Sequence, residues 1–105
     1  MISCKTIKAK KIEDEALLKQ AELFKVSENW VQAEGNYLKI LEFYGEDILA
    51  DNATFFLAEL YDNQLKNAEK AKQYYEQIIF NFPDSIYFVD ARKKYRSLRG
   101  DSLEQ

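Results

Sequence analysis

The chain resembles itself at a fixed spacing. Ala33, Tyr37, Ile40 and Leu41 recur as Ala71, Tyr75, Ile78 and Ile79 at an offset of 38, and Leu17, Ala21 and Phe24 correspond to Thr54, Ala58 and Tyr61 at an offset of 37, where only the first position is lost. A period of this size means that one supersecondary unit is used twice, each copy burying the apolar face that its neighbour leaves open. Each matched position has a physical role. Alanine lets two antiparallel helices approach closely, the aromatic four residues later fills the wedge between them, and the branched pair seals the next contact.

The periodicity within each copy is helical. Ile12, Ala16, Leu17, Ala21, Leu23 and Phe24 predict a first helix over about Lys8 to Phe24, and Trp30, Ala33, Tyr37, Ile40, Leu41 and Tyr44 a second over Trp30 to Tyr44, with Gly45 as its left-handed cap. Gly35 inside the second helix costs it about 1 kcal/mol relative to alanine. Asp47 is the expected cap of a third helix carrying Leu49, Ala53, Phe56, Leu57, Leu60 and Tyr61 and breaking at Asn63-Gln64. Asn67 then caps a fourth, with Glu69 in its first turn, which runs to Asn81 before Pro83. Ser85 is expected to cap a fifth, through Phe88, Ala91, Tyr95 and Leu98, closed by Gly100. With three glycines and one proline, the chain has little of the turn chemistry that many short strands require.

These residues carry a resemblance to the tetratricopeptide repeat. Asn52 to Pro83, with Leu57-Ala58, Tyr61, Ala71, Tyr75, Ile78 and Pro83, is similar to a nearly complete repeat; Leu17, Ala21, Phe24, Ala33 and Tyr37 resemble a divergent one without the terminal proline. The junction Phe82-Pro83-Asp84-Ser85-Ile86-Tyr87 resembles that of repeats in bacterial envelope proteins. The period exceeds the expected 34, and the excess is assigned to loops at Gly45 to Asp47 and Gln64 to Asn67. The resemblance implies an all-α fold of about five helices, antiparallel hairpins stacked as a short right-handed solenoid. It divides the chain into a repeat over 11–45, a repeat over 47–83 and a capping helix over 85–99. The function it implies is a non-catalytic scaffold that binds a peptide or helix of a partner protein. A periplasmic or envelope setting is implied only if the chain is cut from a longer secreted protein.

Composition removes most other classes. Fifteen basic and eighteen acidic side chains give a net charge of −3, so the chain lacks the overall positive field that draws proteins to nucleic acid. Local exceptions are Lys5, Lys8, Lys10 and Lys11 and the run Arg92, Lys93, Lys94, Arg96 and Arg99, the last placed where cations meet a helix C-terminus, and they leave nucleic-acid binding as the last-ranked of the alternative readings. A lone Cys4 and the lack of histidine remove internal disulfides and the usual zinc ligand sets. No apolar run reaches the length of a membrane span. No glycine-rich phosphate loop or nucleophile–base pair is present, and Glu13, Asp14 and Glu15, or Glu59 with Asp62, read as solvated helix faces. No enzyme, cofactor, metal or small-molecule substrate is expected.

Most of the aromatics fall on packing positions. Phe55 and Phe88 are displaced toward the face that lines the inner groove in this family, where an exposed ring could anchor a peptide. Glu22, Lys25, Glu59, Asp62, Arg92 and Arg96 share that inferred face. Glu22 and Glu59 stand where a clamp for a chaperone C-terminal carboxylate would want cations, which argues against such a clamp. Because about three repeats are generally needed for a stable stack, the chain is expected either to end a longer array or to pair with a second copy through Ile7, Ile12, Leu18 and Leu23.

Overall fold

A computed structural model describes residues 2–45 and 48–100, with side chains for 14–45 and 48–100. The expectations placed on Cys4, Ile7, Ile12, Glu13, Asp47 and the four N-terminal lysines therefore lie outside the described side chains. Among the described residues there are five α-helices and no strand: α1 (Ile2–Val26), α2 (Trp30–Phe43), α3 (Ala50–Glu59), α4 (Ala68–Asn81) and α5 (Phe88–Arg99), with a π-helical turn over Leu60–Gln64. The chain divides into two compact units, Met1–Ala53 and Thr54–Gln105.

The first unit is built on a hairpin of α1 and α2. α1 starts earlier than the apolar stripe predicts, in a stretch free of glycine and proline that offers nothing to stop a helix. Ala21 of α1 and Ala33, Tyr37 and Ile40 of α2 are fully buried. Asn36, also buried, donates from Nδ2 to the backbone carbonyl of Leu17 at 3.2 Å and to Gln20 Oε1 at 2.8 Å, tying α2 to α1. Asp14 is buried too, so it does not belong to a solvated acidic face. It stands three residues before Leu17 and seven before Ala21, on the same helical stripe.

The turn between these helices ends α1 in a Schellman motif. The Asn29 N–H donates to Phe24 O at 2.7 Å, the Glu28 N–H to Lys25 O at 3.0 Å, and Glu28 takes a left-handed φ of 63°. Ser27 Oγ donates to Leu23 O at 2.9 Å in the same last turn.

The second unit reuses this device. Lys66, which matches Glu28 at the same offset as the second helices, has a φ of 54°. Asn67, the match of Asn29, donates its N–H to Tyr61 O at 2.8 Å. Phe24 and Tyr61, however, match at the smaller offset of the first helices, so the second turn spans one residue more than the first. The π-turn takes up that residue: the Leu65 N–H bonds to Leu60 O, five residues back, at 2.9 Å. A single-turn π-bulge is how a helix absorbs an inserted residue without rotating what lies on either side. The excess within this hairpin thus lies in the helix end at Leu60–Gln64 rather than in a loop over Gln64 to Asn67, and Asn63-Gln64 continue the coil instead of breaking it.

Two caps follow expectation. Asn67 Oδ1 accepts the Lys70 N–H at 3.1 Å at the start of α4, and Gly100 closes α5 with a φ of 95°. Two differ. Ser85 Oγ accepts the Tyr87 N–H at 3.0 Å, forming a turn one step before the helix, and Tyr87 takes the N-cap position. Gly45 does not adopt a left-handed φ; Tyr44 is the C-cap of α2, and glycine is needed at 45 for space, because a Cβ there would lie 2.7 Å from Leu41 O. α4 packs on α5 and on the π-turn, and Leu57, Ala58, Ala71, Tyr75, Ile78 and Ala91 are buried.

Deleting Gln64, an exposed residue of the π-turn, should convert the second turn into the form of the first. Circular dichroism should show unchanged helicity with a stability loss under about 1 kcal/mol, about 5 °C in melting temperature. Deleting the exposed Gln32 instead rotates the rest of α2 by about 100° and should abolish cooperative unfolding. Equal damage from both deletions would contradict the role assigned to the π-turn. Beyond its chain neighbours and the backbone of its own helix, a Cβ at Gly35 would meet no atom within 4 Å. Gly35→Ala should accordingly raise stability by about 0.5–1 kcal/mol in a denaturant titration.

Candidate protein-binding surface

In the first unit, Glu22 is exposed while Lys25 is half-buried, its Nζ 5.9 Å from the centre of the Tyr37 ring. Lys25 therefore belongs partly to the hairpin's own packing. Glu22 borders a shallow groove lined by Glu15, Ala16, Leu18, Lys19 and Leu49. Beside it on α1, Leu23 is 66% exposed and Val26 82%.

In the second unit an aromatic cluster dominates. Phe55 stacks on Tyr87, with ring centres 4.5 Å apart and planes at 15°, and meets Tyr75 and Phe56 edge-on at 5.8 and 6.4 Å. Such ring pairs contribute about 0.5–1.5 kcal/mol beyond the area they bury. Phe55 is only 5% exposed, so it is a packing residue and not the exposed anchor that its position in sequence suggests. The cause is Tyr87, supplied by the turn after Pro83, which covers it. Phe88 is half-buried, and the Arg92 guanidinium lies 5.8 Å from its ring centre. Arg96 is exposed on the same helix.

Glu59 and Asp62 are half-buried at the end of α3 and in the π-turn. The Tyr75 hydroxyl donates to Asp62 Oδ2 at 3.3 Å, joining α4 to the π-turn. Burial pushes the Tyr75 phenol far above its ordinary range; the nearby carboxylates of Asp62 and Glu59, and the hydrogen bond to Asp62, act in the same direction. Asp62 thus has a structural engagement that its reading as a solvated charge does not anticipate. On the other side of the turn, Tyr61 stacks on Tyr74 at 5.7 Å with Lys70 Nζ 5.4 Å from the Tyr61 ring centre. Tyr74 occupies the position in the second repeat that Asn36 occupies in the first, so a hydrogen-bonded bridge in one hairpin is replaced by an aromatic stack in the other.

A family model covers the segment that holds the π-turn, α4 and the proline junction. Residues 57–85 match the tetratricopeptide repeat. The matched stretch contains Leu57, Ala58, Tyr61, Ala71, Tyr75 and Ile78, all buried in the structure. No curated protein matches the chain. The tetratricopeptide repeat is typically an interaction module without catalytic activity. Among the described residues, no group of three or more His, Cys, Asp or Glu side chains is placed to hold a metal ion, and no helix is long and apolar enough to cross a membrane.

Tyr75 supplies a test by pH. Its phenol is held neutral in the fold, so its contribution to stability is complete below the unfolded value of about 10 and is lost as pH rises beyond it. Tyr75→Phe should cost about 1 kcal/mol at pH 7 through the lost hydrogen bond. It should also flatten the decline in stability measured from about pH 9.5 to about pH 11.5, where the free phenol ionises. An alkaline profile identical to that of the unaltered chain would show that Tyr75 is not held neutral by the fold.

Proposed function

We propose that the chain is a non-catalytic scaffold that binds a peptide or helix of a partner protein. The tetratricopeptide match over residues 57–85 carries this reading. Its support in the second unit is a set of candidate contacts of mixed sign: the half-buried Glu59 and Asp62 carboxylates, the half-buried Phe88 ring and the exposed Arg92 and Arg96 guanidinium groups. In the first unit, Glu22 and Lys25 are the corresponding candidates. Phe55 is withdrawn from the contact set because it is buried. Peptide recognition by a helical repeat needs a few apolar anchors flanked by charges that fix direction, and Phe88 with its neighbouring arginines has that composition. The likeness of the Pro83–Ser85 junction to envelope repeats adds a periplasmic or envelope setting to the proposal only on the condition that the chain is cut from a longer secreted protein.

A second reading is assembly, either as the end of a longer repeat array or as pairing between copies. The exposure of Leu23 and Val26 on α1 favours it, since single large apolar side chains are common on surfaces but a pair three residues apart on one helix is a contact candidate.

Peptides selected from a random displayed library provide the test. A selected peptide should shift amide resonances around Glu59, Asp62, Phe88 and Arg92, and Phe88→Ala should weaken its binding about ten-fold, the scale of an interface anchor. Failure to select any peptide, together with tight binding of a small molecule, would overturn the scaffold reading.

A further inference from the structure

The two units carry surfaces of opposite character. In the first, the groove on α1 is lined by the apolar Ala16, Leu18 and Leu49 together with the charged Glu15, Lys19 and Glu22. In the second, α5 exposes Val89, 62% accessible, with the exposed cations Arg92, Lys93 and Arg96 and with the exposed Asp90 next to Val89. The steps of three and four residues from Val89 to Arg92 and Lys93, and of four from Arg92 to Arg96, place these groups along one side of the helix. Each surface therefore combines apolar side chains with charge, the groove carrying two acids and one cation and the helix three cations and one acid.

We infer that a second copy of this chain is the occupant: the exposed side of α5 in one copy seats Val89 in the α1 groove of the other, with Arg92 and Arg96 toward Glu15 and Glu22, and Asp90 toward Lys19. Charge complementarity selects a copy over a polyanion. A nucleic acid would satisfy the arginines, but it would leave the groove and its acids unused and would meet a chain of net charge −3. The pairing deepens the assembly reading above and does not depend on peptide binding. It joins unlike surfaces, so two copies close it when each seats its α5 in the other's groove, and otherwise successive copies extend it.

Charge reversal tests the pairing with the whole chain. The solution mass by light scattering should rise with concentration and fall as salt rises, since exposed ion pairs are screened. Arg92→Glu with Arg96→Glu should give a monomer, and so should Glu15→Lys with Glu22→Lys, because each variant then carries two like-charged surfaces. Mixing the two variants sets each reversed surface against its reversed counterpart and should restore association, within about ten-fold of the original affinity. All four positions are exposed, and unchanged circular dichroism checks that the variants fold. A concentration-independent monomer, self-association that survives both reversals, or a mixture that stays monomeric overturns the inference. Retention of the unaltered monomer on nucleic acid, lost with the arginine reversals, would assign α5 to a polyanion instead. Arg92, Arg96 and Glu22 also belong to the proposed peptide contacts, so the two proposals are separated by Phe88→Ala, which should weaken peptide binding and leave the solution mass unchanged.

Discussion

Each hairpin depends on one residue in a left-handed backbone conformation. Glu28 and Lys66 hold this conformation without being glycine, at a cost on the order of 1 kcal/mol or more for each. The cost is offset because the positive φ lets the chain reverse within three residues and still satisfy the last carbonyls of the preceding helix, through Phe24 and Lys25 in one case and Leu60 and Tyr61 in the other. With the reversal fixed, the second helix of each hairpin must begin at Trp30 or Ala68. That register places Ala33 and Ala71 in the core, followed by Tyr37 and Tyr75.

The same constraint explains why the two copies are related by two offsets. The second helices match at an offset one greater than the first, and the left-handed residues belong with the second set. An extra residue must therefore be accommodated before Lys66 without turning Ala58 and Tyr61 out of the core. The π-turn does this, and the hydrogen bond from Tyr75 to Asp62 then ties the widened turn to α4. A feature that looks like an irregularity is thus a consequence of keeping both faces buried. It also sets where Glu59 and Asp62, two of the candidate contact residues, stand at the end of α3 and within the tetratricopeptide match.

The helices and their buried faces are legible in the sequence because 3.6-residue periodicity survives almost any choice of surface residue: Ala21, Ala33, Tyr37, Ala58, Ala71 and Tyr75 all lie where the stripe puts them. The Asn67 cap and the Gly100 stop are legible for a similar reason, since each residue type has a strong local preference. What cannot be read depends on backbone geometry or on distant residues. Glutamate and lysine give no hint of a left-handed φ, and a π-turn has no composition of its own. Gly45 is the right residue for a different reason, close approach instead of conformation. Phe55 reads as a groove-facing ring because the residue that buries it, Tyr87, comes from a turn far along the chain, beyond Pro83. Asn36 offers a readable sign, a polar residue within the Ala33–Tyr37 stripe, where burial requires a hydrogen-bond partner.

The most direct test is the backbone conformation at Glu28 and Lys66, read from the Cα, Cβ and Hα chemical shifts and the amide–Hα coupling constants of the chain in solution. Left-handed values at both residues, with α-helical values through Phe24 and Tyr61, are predicted. Right-handed or extended values at either residue would mean that the hairpins close differently, and would contradict the claim that one turn device, widened by a single residue in its second use, organises both halves of the protein.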